Sequence, residues 1–137
     1  MKIFVDTSAW YAVLVKSDTN HQRAAKYFSQ ELEAKEYFVT TNFILDETIT
    51  RLRYDISPEK AVEFYRLAMK AEKENALKIV IIDYDVQEKA IEVLAKYRDH
   101  KFSFTDCTSL IVARREKADK VFAFDEDFRV MGFNVQP

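Results

Sequence analysis

Apolar residues recur along this chain in two rhythms. Short unbroken runs at Lys2–Val5 ("KIFV"), Tyr37–Thr41 ("YFVTT"), 77–83 ("LKIVIID") and 120–124 ("KVFAF") predict buried strands, with a last short one at 132–136. Between them, apolar positions return every three or four residues, which predicts helices. These cover 7–15, 21–35, 42–54, 56–75, 84–99 and 106–117, with a helical turn at 125–130. The expected stripes are Ala24, Ala25, Phe28 and Leu32 on the second helix, then Ala61, Phe64, Tyr65, Ala68 and Ala71 on the fourth. Val86, Ala90, Val93, Leu94 and Tyr97 form the stripe of the fifth. Thr7 or Ser8, Asn42, Ser57 (followed by Pro58) and Thr105 are placed to cap helices.

Strands that alternate with helices predict an α/β fold, a three-layer α/β/α sandwich around a central, mostly parallel sheet. Ligands of such sheets bind beyond the carboxyl ends of the strands, where the strand order reverses. With no repeat, low-complexity segment or linker, residues 1–137 read as a single domain.

Composition narrows the function. A chain that is 48% hydrophobic buries a core rather than staying disordered. Its formal charge of −2 gives no global attraction to nucleic acid, so RNA binding would need a local patch. The single cysteine, Cys107, excludes an internal disulfide and a multi-thiolate zinc cage, and reads as a small core residue. It suits a reducing compartment. No apolar stretch approaches the roughly 20 residues of a membrane helix, so a cytoplasmic protein is expected. One glycine in the chain excludes a P-loop or a dinucleotide fingerprint. His21 and His100 lack ligand spacing and read as packing or surface residues.

The carboxylates fall in a pattern. Asp6 follows the first predicted strand, Glu47 lies early in the helix after the second, Asp106 opens the helix "DCTSLIVARR", and Asp125 follows "KVFAF", with Asp127 two residues on. All fall at carboxyl-side junctions, where the sheet could gather them. Asp is also a favoured helix cap, and each alone is explained that way. Gathered together, they would repel one another unless a cation lay between them. An all-oxygen set suits Mg²⁺ or Mn²⁺, which clamps phosphate oxygens and lowers the pKa of an attacking water.

Four segments, "FVDTSAWYAVL", "TTNFILDETIT", "FSFTDCTSLIVAR" and "VFAFDEDF", resemble in order and spacing the signature segments of PIN-domain ribonucleases, most nearly the VapC toxins of toxin–antitoxin pairs. The resemblance runs from Ile3 to Val135. It implies metal-dependent endonucleolytic cleavage of RNA, with Asp6, Glu47, Asp106 and Asp125 as metal ligands and catalytic residues. Asp127 is the alternative or additional fourth acid, and Asp46 adjoins Glu47 without being separated from it by periodicity. Thr7, Ser8 and Thr105 are supporting residues, as hydrogen-bond donors near the acids or simply as caps. Arg51, Arg114 and Arg115 are candidates for phosphate contacts, of which at most one is expected to act. The family further implies an RNA substrate, a cognate antitoxin and a homodimer.

Other readings are weaker. Haloacid-dehalogenase-like phosphatases need a second Asp two residues after the first, where this chain has Ser8. Phosphoacceptor receiver domains need an acidic pair where "VDTS" offers one acid. A PIN-fold binding module without catalysis would keep the fold and lose turnover.

Overall fold

The computed structural model describes residues 1–137. The chain runs β1 (Lys2–Val5), α1 (Thr7–Leu14), α2 (His21–Glu33), β2 (Tyr37–Thr41), α3 (Asn42–Asp55), α4 (Pro58–Lys73) and β3 (Leu77–Val80). It continues through α5 (Tyr84–Lys96), α6 (Phe104–Arg115), β4 (Lys120–Phe122), α7 (Asp127–Val130) and β5 (Val135–Gln136). The five strands form one sheet, ordered β3-β2-β1-β4-β5, and every pairing is parallel. From β1 the chain builds outward to β3, then crosses back to lay β4 against the other side of β1. The strand order therefore reverses between β1 and β4.

Register assigns the faces. Ile3 pairs with Phe38 and Val5 with Phe122, so these four side chains share one face, while Phe4, Val39 and Val121 occupy the other. All are at most 2% exposed, as expected of a parallel sheet covered on both sides. Tyr27 and Phe28 of α2 pack on Phe122, and Trp10 of α1 meets Phe28 and Phe64 of α4. On the opposite face Phe128 of α7 packs against Phe4. α5 packs on α6, and α3 touches α1, α4 and α6. No helix is long and apolar enough to cross a membrane.

The predicted layers and strands are present; several boundaries are not. The third strand ends at Val80 rather than residue 83, because Asp83 turns to cap α5, accepting from the Val86 N–H at 3.0 Å. The fourth ends at Phe122, since its neighbour β5 has only two residues and the Phe124 N–H is bonded to the Ser8 hydroxyl instead. α6 begins at Phe104, before Asp106. Leu32 and Leu94, expected in apolar stripes, are 45% and 42% exposed. Asn42 does not cap α3. Thr41 does, accepting from the Ile44 N–H, and the Asn42 amide oxygen instead accepts from the Ile82 N–H at 2.8 Å, tying the start of α3 to the segment after β3. Ser57 caps α4 ahead of Pro58, as predicted. Three helices end in left-handed residues that are not glycine: Lys35, Asn75 and Lys117.

A buried polar relay joins β1, β2 and α1. The Thr40 hydroxyl donates to the Val5 carbonyl at 3.0 Å and accepts from the Trp10 indole N–H at 3.4 Å, with Thr40 wholly buried. Thr40→Val strands the indole N–H in an apolar environment. Urea unfolding should show a loss of about 1–3 kcal/mol; unchanged stability would mean that the relay contributes nothing.

Candidate metal centre

Five carboxylates meet at the carboxyl edge of the sheet. Asp6 is the N-cap of α1, immediately after β1. Its backbone N–H donates to the Phe122 carbonyl across the β1–β4 pair, and its side chain accepts from the Ser8 N–H. The Ser8 hydroxyl donates to the same carboxylate oxygen at 2.7 Å and accepts from the Phe124 N–H at 3.0 Å. Ser8 thereby clamps the ends of the two central strands at the point where the strand order reverses. Asp6 is only 4% exposed. Burial raises its pKa to about 6, against the lowering effect of the Ser8 hydroxyl, and the carboxylates of Asp106 and Glu47 add to the rise.

Asp106 is held differently. It occupies the third position of α6 in a reciprocal capping box: its N–H donates to the Ser103 hydroxyl while its carboxylate accepts from the Ser103 N–H, both at 3.0 Å. Asp125 lies after β4 and caps the turn into α7, accepting from the Asp127 N–H at 2.9 Å. Carboxylate oxygens of Asp106, Asp125 and Asp127 lie within 4.8 Å of one another. Burial and then the charge of Asp125 and Asp106 push the pKa of Asp127 up to about 7. Asp106 is also raised, first by burial, with Asp125 adding to it. Glu47, half-buried, faces Asp6 from α3, whereas neighbouring Asp46 points to solvent.

None of these five acids has a basic partner within ion-pair distance. Like charges gathered without a counter-ion are held together by the fold against their own repulsion, which a divalent cation would relieve. The donors are all carboxylate oxygens, which fits a hard ion such as Mg²⁺ or Mn²⁺ and not a thiolate or imidazole site.

The PIN-domain family model matches residues 3–134. The chain belongs to the PIN-domain family. It is 30% identical over 136 residues to the 23S rRNA-specific endonuclease VapC20 of Mycobacterium tuberculosis, covering 98% of each chain. It is 32% identical over 132 residues to a VapC ribonuclease of Archaeoglobus fulgidus, covering 93% of this chain and 80% of that one. The crystal structure of M. tuberculosis VapC20, described as a sarcin–ricin loop cleaving toxin, superposes with a TM-score of 0.83 at 31% identity, covering 98% of this chain and 99% of that one. VapBC2 from Rickettsia felis, bound to a promoter DNA fragment, shares the fold alone, at a TM-score of 0.70 and 11% identity, with 99% of this chain and 98% of that chain covered.

Within this PIN domain the supporting residues divide. Ser8 does more than cap: it fixes Asp6 to the β4 end. Thr7 is buried and accepts from the Thr48 hydroxyl at 3.4 Å, so it joins α1 to α3, and Asp6 rather than Thr7 caps α1. Thr105 does not cap α6, because Ser103 does; its carbonyl accepts from the Thr108 hydroxyl. Ser103 is the residue that sequence reasoning passed over, although "SFTD" carries the capping-box spacing ahead of an apolar run. Ser109 is wholly buried and its hydroxyl has no partner. Cys107 is buried, and burial with the charges of Asp106 and Asp127 raises its thiol to about 11, which favours the protonated form.

The sign of the pH dependence follows from Asp6. Its folded pKa lies above the unfolded value, so the folded state binds more protons between pH of about 4 and 6, and stability falls as pH rises through that window. Asp127 extends the fall toward about 7. In EDTA the domain should melt several degrees lower at about pH 8 than at about pH 5, and Asp6→Asn, which retains the cap, should flatten the difference. Scanning calorimetry decides this; a flat wild-type profile would show that the buried carboxylate carries no penalty.

Proposed function

We propose that this chain is an endoribonuclease that hydrolyses RNA phosphodiester bonds with a divalent cation, Mg²⁺ or Mn²⁺, and that it is the toxin of a toxin–antitoxin pair. The observation that carries this reading is the group of unpaired carboxylates at the β1–β4 switch point, in a chain related to VapC ribonucleases. Asp106, Asp125 and Asp127 are the residues that would hold the cation, with Asp6, just after β1, within electrostatic reach of Asp106 and of Glu47 on α3. A bound cation would neutralise phosphate oxygens and acidify an attacking water.

The chain's own groups do the rest. Asp6 and Glu47 offer carboxylate oxygens that orient a water and accept its proton, and Ser8 holds Asp6 at one orientation while it does so. Ser103 fixes Asp106 in the same way. No protein nucleophile is required.

The antitoxin partner is supported by the VapC relatives and by a surface cavity of about 290 Å³ between α1, α2 and α4, lined entirely by apolar side chains that include Trp10 and Phe64. Leu32 and Leu67 stand exposed at its rim, where a partner's apolar side chains would cover them. The homodimer belongs to the same reading and is supported by exposed Ile91 and Leu94 on α5.

An end-labelled structured RNA incubated with the protein should be cut with Mg²⁺ or Mn²⁺ and left intact in EDTA. Asp106→Asn should reduce cleavage by more than about a hundredfold while melting no lower than wild type. Calorimetric titration with Mn²⁺ should give tighter binding at about pH 7.5 than at about pH 5.5, since the ion must displace protons from raised carboxyls. Cleavage that persists in EDTA, or in Asp106→Asn, would refute the assignment.

A further inference from the structure

The three arginines open to RNA contact on sequence grounds have different fates. Arg115 is paired with Asp85, and Arg114 lies 5.7 Å above the Phe133 ring. Arg51 lies one helical turn beyond Glu47 on α3, exposed, with its guanidinium 4.0 Å from the centroid of the Tyr11 ring. It has no ion pair. Tyr11 is itself fixed, because its hydroxyl donates to Asp55 Oδ2 at 2.9 Å. That bond also occupies the carboxylate one turn beyond Arg51. The result is a cation stacked in place beside the acid cluster and free to take an anion.

The same helical face continues. Glu47, Arg51 and Tyr54 follow one another at spacings of four and three, a span of about 10 Å along the axis. Tyr54 is 83% exposed. It borders a cavity of about 550 Å³ between α3 and α4, whose lining includes Arg53, Tyr65 and Arg66. The Arg66 guanidinium lies 5.6 Å over the Tyr65 ring, and neither arginine of the cavity has an ion pair.

We propose that α3, from Arg51 on its α1 side round past Tyr54 to the cavity on its α4 side, is the track along which a single-stranded segment of the RNA lies as it leaves the acid cluster. Arg51 takes a backbone phosphate, Tyr54 stacks on a base, and Arg53 and Arg66 hold the strand at the cavity. The assignment rests on the nuclease reading and deepens it. Uncompensated arginines interleaved with exposed aromatic rings complement an unpaired strand, whose phosphates and base faces are both accessible. In a net-acidic chain with a cluster of carboxylates at its site, such a local patch is what would hold a polyanion there. A second copy of this chain is a poorer occupant. A twofold contact through this face would bring two sets of uncompensated arginines into one interface, and the cavity lining holds no carboxylate to pair with them.

The test uses a short, 5′-fluorescein-labelled single-stranded RNA of mixed sequence and the cleavage-defective Asp106→Asn protein with Mg²⁺, with affinity read by fluorescence anisotropy over a range of salt. Adding Arg51→Ala should weaken binding about tenfold and lower the salt slope by about 0.7, the loss of one phosphate contact on a single strand. Arg51→Lys should keep the slope. Tyr54→Ala should weaken binding about tenfold with the slope unchanged, as loss of stacking does. Arg114→Ala should change neither. If the parent binds and Asp106-intact protein cuts, but Arg51→Ala and Tyr54→Ala bind like the parent, the track is wrong and the nuclease reading stands. If Tyr54→Ala instead converts a dimer to monomers at unchanged RNA affinity, the face belongs to a second copy. If the parent neither binds nor cuts RNA, both readings fall together.

Discussion

Asp6 must be buried, ionisable and hydrogen-bonded at the same place, and much of the carboxyl edge is arranged around that requirement. Its backbone closes the β1–β4 pair through Phe122, its carbonyl accepts from the N–H groups of Ala9 and Trp10, and its side chain begins α1. A carboxylate so placed is costly to ionise without compensation. Compensation inside the chain is partial: Ser8 contributes one N–H and one O–H, and no basic side chain lies within ion-pair distance of Asp6. The surrounding acids raise the cost further. The fold accepts this because five parallel strands and their helices bury enough apolar surface elsewhere to hold the edge in position.

The acids are delivered by separate elements, and each is oriented by its own local device. Ser8 orients Asp6, a capping box orients Asp106, and an Asp-type turn places Asp125 against Asp127. The site is thus a set of helix and turn beginnings brought to one edge by parallel topology. This is why the capping reading and the metal-ligand reading of these residues are not alternatives. The same oxygen that satisfies a helix N-terminus leaves its partner oxygen free to face the centre.

Most of the fold was legible in the sequence, because the short apolar runs and the period of three to four residues are written into positions that the core then uses. What was illegible were ends. Whether Thr41 or Asn42 caps α3 depends on where the segment after β3 passes, and that is a tertiary fact. The early stop of β4 depends on a two-residue partner 13 residues downstream. Leu32 read as core because it continues a stripe, but it stands at the rim of the open apolar cavity between α1, α2 and α4. In the candidate centre, Asp6, Glu47 and Asp106 were visible as junction residues, whereas the place of Asp127 beside Asp106 could not be seen without the turn of α7. Ser103 is legible too, since its spacing to Asp106 is that of a capping box.

The chain's charges are sorted along the strand direction. At the amino edge Lys2 and Lys78 share Glu116, Lys120 meets Glu31, and the N-terminal ammonium meets Glu36, so charge there is closed into pairs. At the carboxyl edge, Asp6, Glu47, Asp106, Asp125 and Asp127 are left without a basic partner. Without a cation to offset them, these carboxylates would repel an approaching polyanion. On the proposed reading, a cation would have to come first, or travel in on the nucleic acid, for the edge to change from a barrier into a landing place.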